Sequence, residues 1–400
     1  MATHESQEIR EGVIALVSHP ISLTFIRQPL ERLDGWSPEG WLESFALADS
    51  EGLANWYVHR VQSTGVGCPQ HLLDSQRAKV NTAKMWAKFQ AVLSTDAQTA
   101  LQKANIDCRV YKGVALARAL YGDATLRNSN DIDILVAPQN LKAAVVALKN
   151  IGFETSLDDR WLEHAQFLQG AREMQLSSMN DSFTIDLHWR LMCNWNGVGP
   201  VSEAELFSPG QPQLILGAVT LPWFTPSTLF RLQLAHVITS SWFGLKTFVD
   251  LAHVFDTLDE AAQFDVVQAC KERGCIGALW ASLQVLNKVF GRDTAAIAAT
   301  CEPVRKTLPR WRNFANTAST RLLTCQSSAP ESMDIVRAAW HSRTRRTVIW
   351  QLLQRMWTPT VFDYTEIGPS TTFPTRVGRT LFRHLKKSSP ISKRRIDIRS

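Results

Sequence analysis

Asp131 and Asp133, separated by one isoleucine, head the apolar run that ends at Val136. Side chains alternate along a strand, so the two carboxylates point to one side while Ile132 and Ile134 point into a core. Carboxylates this close repel, and each resists ionising unless a cation sits between them. Hard oxygen ligands suit Mg²⁺, which takes one or two carboxylates and completes its shell with water and substrate phosphates. An Asp-x-Asp pair alone is more often a solvated strand end than a metal site, so the neighbouring residues decide. Upstream, residues 106–111 read as a strand, Lys112-Gly113 as a turn and residues 114–121 as a helix. A glycine at a strand-to-helix turn lets backbone amides approach an anion, and the helix dipole favours negative charge there. Downstream, residues 183–189 read as another strand with Asp186 in mid-run. A carboxylate inside an apolar strand is costly unless it is paired, hydrogen-bonded or metal-bound.

The elements that must position these groups follow from periodicity. Residues 1–100 form an N-terminal helical region, with three- and four-residue apolar steps through 42–62 and 74–93. Residues 101–225 form the α/β core. A helix at 141–150 follows the aspartate strand, and short antiparallel pieces then lead to the Asp186 strand. Asp131, Asp133 and Asp186 are expected to meet at one edge of a small mixed sheet with helices on one face. Residues 226–358 form a C-terminal helical domain, opened by Thr225-Pro226-Ser227 in the manner of a capped helix start. Residues 359–400 form a basic tail. The fold class is therefore α+β: a small mixed sheet with helices, flanked by N-terminal and C-terminal helical regions.

Lys112-Gly113, Asp131-x-Asp133 and the later Asp186 together resemble the nucleotidyltransferase superfamily that includes DNA polymerase beta. The longer string KGVALARALYGDATLRNSNDIDILV is more closely similar to bacterial uncharacterised nucleotidyltransferases, and the similarity runs from about Leu42 to Leu258. Arg127-x-Ser129-x-Asp131 also resembles an element of abortive-infection nucleotidyltransferase toxins. The resemblance implies a metal-dependent enzyme that transfers a nucleoside monophosphate from a nucleoside triphosphate (NTP) to a hydroxyl-bearing acceptor, releasing pyrophosphate. It implies Asp131, Asp133 and Asp186 as catalytic ligands of Mg²⁺ or Mn²⁺. Lys112, Gly113, Arg127, Ser129 and Lys246 are implied as nucleotide contacts. The superfamily usually has Gly-Ser or Gly-Gly at the turn, whereas Val114 follows Gly113 here, so a hydroxyl contact to the phosphates is missing and Lys112 is placed to compensate.

In the same group a His…Leu-Lys…Asp pattern follows the sheet, matched here by His236, Lys246 and Asp250. A second histidine, four residues after the first, is Ser240 in this chain. The four-residue step from Lys246 to Asp250 puts both on one helical face. That leaves two readings: a surface ion pair, or a lysine that clamps the triphosphate.

Composition narrows the classes. The chain is 45% hydrophobic and 20% charged, as a globular protein is, and its 14 tryptophans are scattered as packing residues would be. Seven cysteines without a Cys-x-x-Cys pair argue against zinc and suit reduced thiols in the cytoplasm. No signal peptide and no membrane-spanning run is legible. The net charge of +6 is uneven: from Arg337 onward there are 14 Lys/Arg against 3 Asp/Glu, leaving the first 336 residues at −5. The tail reads as a solvated terminus or as a contact with an anionic partner, and it lacks the aromatic interleaving of single-strand binders. Two alternatives to an active enzyme stand: an inactive nucleotide-binding or regulatory module of the same fold, and a helical scaffold with incidental aspartates. The second leaves three acidic residues in apolar strands unexplained. The acceptor stays open between a small molecule, a peptide natural product, a protein and a tRNA.

Overall fold

The computed structural model describes residues 4–18, 35–157, 159–162, 167–168, 171–191, 200–240, 244–301 and 308–324. The last part of the expected C-terminal helical domain, 325–358, and the basic tail at 359–400 lie outside them. Among the described residues the first helices are α1 (His4–Ser18), α2 (Pro38–Ser50), α3 (Ala54–Thr64) and the long α4 (Gln70–Lys103). Strand β1 (Cys108–Val110), helix α5 (Gly113–Tyr121), strand β2 (Ile132–Val136) and helix α6 (Leu141–Lys149) follow. Strands β3 (Phe153–Glu154), β4 (Glu173–Ser178) and β5 (Thr184–His188) complete a five-stranded mixed sheet of order β1-β2-β5-β4-β3. A short helix α7 (Glu203–Leu206) and a hairpin of β6 (Gln213–Leu216) and β7 (Val219–Pro222) lead into the C-terminal helices. Among the described residues these are α8 (Pro226–Thr239), α9 (Leu245–Phe255), α10 (Glu260–Glu272), α11 (Ile276–Phe290), α12 (Ala295–Thr300) and α13 (Leu308–Thr324).

Local chemistry explains the boundaries. Helix α8 opens with Thr225 accepting from the Thr228 amide and with Pro226 in its first turn, as the sequence predicts. Ser37 caps α2 and Asp259 caps α10 in the same way. Every residue of β2 is buried, which a strand flanked on both sides within a covered sheet requires.

The α+β class is the one the sequence predicts. The pieces β3, β4 and β5 pair antiparallel, also as predicted, whereas β2 pairs with β5 in parallel and with β1 antiparallel. One expectation needs correcting. The carboxylates do not meet at a sheet edge, because β2 and β5 are the second and third of five strands. Edge strands expose unpaired backbone groups, while inner strands hold their side chains in register from both sides.

A single hydrophobic cluster runs from Val13 in α1 to Leu322 in α13. Helix α1 packs against α2, α3, α9, α11 and α13, so the two ends of the described chain share one core. Trp41, Trp56, Trp161, Trp189, Trp223, Trp280 and Trp311 are buried in it, whereas Trp86 on α4 is exposed. No helix among the described residues is long and apolar enough to cross a membrane.

Candidate active site

The β2–β5 register sets Asp133 directly opposite Asp186 on adjacent parallel strands. Asp186 and His188 share one face of β5, since side chains alternate with period two. Ligand atoms of Asp133, Asp186 and His188 lie within 4.8 Å of one another. His188 is the site residue that sequence reasoning missed. The signal was present in Asp186-Leu187-His188, whose spacing repeats that of Asp131-Ile132-Asp133.

Asp133 is buried, and its Oδ1 accepts from Lys112 Nζ at 2.9 Å and lies 2.9 Å from His188 Nε2. Burial works against its ionisation, but the Lys112 ammonium and the His188 hydrogen bond outweigh burial and hold the carboxyl well below the usual carboxylate range. Burial pulls the Lys112 pKa down, and Tyr111 and Asp133 outweigh it, so the ammonium is held charged. His188 is buried and pulled toward neutrality mainly by desolvation, with Nδ1 3.0 Å from Glu173 Oε2. Asp186 behaves oppositely to Asp133. Burial and then the charges of Asp131, Asp133 and Glu173 push it up to about 7.

The donor set fits a hard divalent cation. Both contacts on Asp133 fall on Oδ1, so Oδ2 accepts no hydrogen bond among the described residues. Asp186 faces three negative neighbours, and a cation is what would relieve them. Asp131 lies just before β2 and outside the tight group of three, close enough for its charge to act on Asp186.

Helix α5 starts beside this cluster. Gly113 has φ +54°, a left-handed conformation that favours glycine, and a Cβ there would stand 3.2 Å from Ser129 Oγ and 3.4 Å from the Asp131 carbonyl. No side chain caps the helix start at Lys112, so its first amides are left for an anion.

The segment that delivers Asp131 is held differently. Asn55 of α3 donates to the Thr125 carbonyl (2.9 Å), Lys246 of α9 to the Asn128 carbonyl (3.1 Å) and Gln90 of α4 to the Ser129 carbonyl (3.0 Å). Ser129 Oγ in turn lies 3.0 Å from the Asp131 carbonyl and 3.1 Å from its Oδ1. Arg127, expected at the phosphates, is buried and donates Nε to Asp250 Oδ2 at 2.9 Å, while Tyr121 donates to Asp250 Oδ1 at 2.7 Å.

Asp250 is thus committed to Arg127 and Tyr121, and no Lys246–Asp250 ion pair forms among the described residues. The shared helical face is real, but a buried guanidinium competes better for a buried carboxylate than a partly exposed ammonium does. Lys246 is pushed down to about 8, by burial first and then by the charge of Arg127. His236 is driven well below its ordinary value by burial and then by the Lys112 and Arg127 charges, and its buried Nδ1 has no hydrogen-bond partner among the described residues.

Clustered carboxylates on a small mixed sheet and a glycine at a strand-to-helix turn are what the sequence resemblance rests on, and the structure sets Asp133 and Asp186 side by side near the start of α5. The sequence model of a family described as uncharacterised nucleotidyltransferase matches residues 37–291, and the chain belongs to that family. The match opens at the cap of α2 and closes at Gly291, the left-handed cap of α11, so it takes in every element that touches the site. No curated protein and no solved structure matches the chain.

Proposed function

We propose that the protein is a metal-dependent nucleotidyltransferase that moves a nucleoside monophosphate from an NTP to a hydroxyl-bearing acceptor. The observation that carries this reading is the register-level opposition of Asp133 and Asp186 beside an uncapped helix start. Asp133 through its free Oδ2, Asp186 and Asp131 would hold Mg²⁺ or Mn²⁺, with His188 behind Asp133 as an orienting partner. When bound, the cation neutralises charge on the phosphates and on the entering and leaving oxygens.

The remaining work falls to the chain's own residues. The α5 amides from Gly113 onward, with Lys112 and Lys246, receive the triphosphate. Arg127 and Ser129 serve the nucleotide through the segment they shape. The acceptor oxygen bonds to the α-phosphorus, the bond from that phosphorus to the oxygen bridging to the β-phosphate breaks, and pyrophosphate leaves. The acceptor's proton passes to the Asp186 carboxylate. Positioning and electrostatics supply most of the rate in such transfers. This reading places the protein in the cytoplasm, where NTPs are available, and leaves the basic tail to an anionic partner.

A second reading, a nucleotide-binding module without turnover, draws on the Lys112 ammonium that already neutralises Asp133. The two separate in one experiment. The full chain is incubated with Mg²⁺ and each α-labelled NTP against fractionated cell extract, with Asp186→Asn alongside. Label transferred by the parent and absent from Asp186→Asn is expected. No transfer with any NTP, together with a nucleotide-induced rise in melting temperature, is the outcome of the inactive module.

A further inference from the structure

Helix α4 leaves a large apolar strip in water. Met85, Trp86, Phe89 and Val92 are 50%, 43%, 52% and 57% exposed. Between residues 75 and 95 the helix carries Arg77, Lys79, Lys84 and Lys88 and no acidic residue. Arg77 is paired with Asp74 and Lys79 with Asp49, whereas Lys84 and Lys88 enter no ion pair among the described residues. At 3.6 residues per turn, Lys84 and Lys88 line the strip immediately beside Met85, Phe89 and Val92. The two lysines thus flank the strip on one side, Met85 and Val92 form its middle, and the rings of Phe89 and Trp86 flank it on the other.

That surface adjoins the candidate active site. Phe183 stands against both rings, with its centroid 4.9 Å from Trp86 and 6.4 Å from Phe89 at interplanar angles of 54° and 55°. Phe183 immediately precedes β5 and lies three residues before Asp186. Continued backwards, the β2–β5 register sets Thr184 level with Asp131 and Phe183 level with Asn130. Gln90, the residue after Phe89, holds the Ser129 carbonyl of the same segment. The aromatic strip therefore begins where the segment carrying Asp131 ends.

We propose that this surface binds the acceptor, and that the acceptor is the end of a single-stranded nucleic acid. Its bases stack on Trp86 and Phe89, and Lys84 and Lys88 take its phosphates. Stacking on aromatic side chains within a positively charged track is how proteins hold single strands without reading sequence. The proposal rests on the nucleotidyltransferase reading, since the terminal hydroxyl is the group that would bond to the α-phosphorus as pyrophosphate leaves, giving its proton to Asp186. A lipid surface also favours aromatic and lysine side chains, but Phe183 ties this strip to the sheet beside the carboxylates, where a bilayer has no function.

The test is fluorescence anisotropy of the full-length protein with a labelled single-stranded RNA 12-mer, its single-stranded DNA counterpart and the RNA duplex, at about 50 and 200 mM salt. Single strands are expected to bind more tightly than the duplex. Trp86→Ala should weaken RNA binding about five- to a hundredfold, the worth of one stacked base. Lys84→Ala with Lys88→Ala should flatten the dependence of log affinity on log salt by about 0.7 per lost phosphate contact. None of these substitutions touches the carboxylate cluster or the start of α5, so the stabilisation by Mg²⁺ with ATP should be unchanged.

RNA binding unaffected by all three substitutions would place the strand elsewhere, for instance on the basic tail, and overturn the proposal. Capture by phosphatidylserine vesicles but not by RNA, lost in Trp86→Ala, would assign the strip to a membrane and overturn it equally. Label transfer to extract without RNA binding would overturn the acceptor assignment and leave the activity standing. RNA binding lost in Trp86→Ala, but no transfer from any NTP, would sink the activity and the acceptor assignment with it.

Discussion

The two halves of the candidate site are held by different physics. Asp133 and Asp186 sit on inner strands whose backbone ladders fix them opposite each other. Asp131, Ser129 and Arg127 sit on an irregular segment that has no ladder, and its carbonyls are taken one by one by Asn55, Lys246 and Gln90 from three separate helices. Position in the strand half is set locally, by pairing that any sheet provides. Position in the segment half depends on flanking helices far away in sequence. The helical regions on either side of the sheet are therefore part of the site's construction, and the family match that extends across them has a structural reason.

Asp250 makes the dependence sharpest. It lies more than a hundred residues from Arg127, yet it is the buried counter-charge that lets Arg127 shape the segment. Glu51 does comparable work one layer out, accepting from Arg10 of α1 through Oε1 and from the Leu245 amide at the start of α9 through Oε2. The first turn of α9, which carries Lys246, is thereby fixed to the N-terminal helices.

The largest expected effect breaks the strand half. Asp133→Asn and Asp186→Asn should each lower label transfer by about a thousandfold or more, because several kcal/mol of charge stabilisation at the phosphates depend on the cation these carboxylates would hold. Folding should survive in the Asp186 variant, since its loss relieves repulsion from Asp131, Asp133 and Glu173. Transfer within tenfold of the parent in Asp186→Asn would remove this residue from the site.

Breaking the segment half should look different. Asp250→Ala leaves the Arg127 guanidinium buried and unpaired, a loss of about 3–5 kcal/mol that denaturant unfolding would register. Nothing on the strands changes, so stability falls first and activity follows. An unfolding midpoint equal to the parent's would show that the Arg127–Asp250 pair does not hold the segment.

Much of the strand half was legible in the sequence, and the segment half was not, for a physical reason. Asp131-x-Asp133 and Asp186 in apolar runs announce a cost that only a local arrangement can offset, so three residues identify their own region. The partner of Asp250 is not announced by its helix. The four-residue step to Lys246 is a true neighbour relation on α9, yet the choice between Lys246 and Arg127 is made by burial and by the approach of α5 and its following segment, which no local pattern encodes. His188 was legible in principle, through the alternation Asp186-Leu187-His188, but a histidine in a strand is usually a core residue and draws no notice. The edge placement of the carboxylates failed because strand order across the sheet is a property of topology rather than of any strand's own residues.

Lys246 joins the two halves and gives an intermediate effect. It donates to the Asn128 carbonyl of the segment and feels the charges of Asp131 and Asp133. Lys246→Met should raise the apparent KM for NTP about ten- to a hundredfold, as the loss of one charged hydrogen bond does. Lys246→Arg should restore less than full activity, because a planar fork does not reproduce a point charge in a tight site. Unchanged KM in both variants would reduce Lys246 to a strut for the segment.

The smallest effect is a pH dependence that belongs to the strand half alone. In the metal-free protein Asp186 keeps its proton up to about pH 7, whereas in the unfolded chain it loses it near 3.8. Between those values the folded state binds more protons than the unfolded one, so this group's contribution to stability falls as pH rises from about 4 to 7 and stays low above. Asp186→Asn abolishes that titration. The variant should match the parent at pH 4 and melt higher at pH 8, by about 1 °C for each kcal/mol gained, at roughly 2.1 cal/mol/K of unfolding entropy per residue over 400 residues. Added Mg²⁺ should act on the parent in the opposite sense, stabilising it more at pH 8 than at pH 5.5, because the cation takes the ionised carboxylate and releases its proton. The segment half supplies the control: Asp250→Asn should change stability without altering how the Mg²⁺ effect grows with pH. A Mg²⁺ stabilisation that is the same at pH 5.5 and pH 8 in the parent would detach Asp186 from the cation and leave Asp133 and Asp131 to hold it.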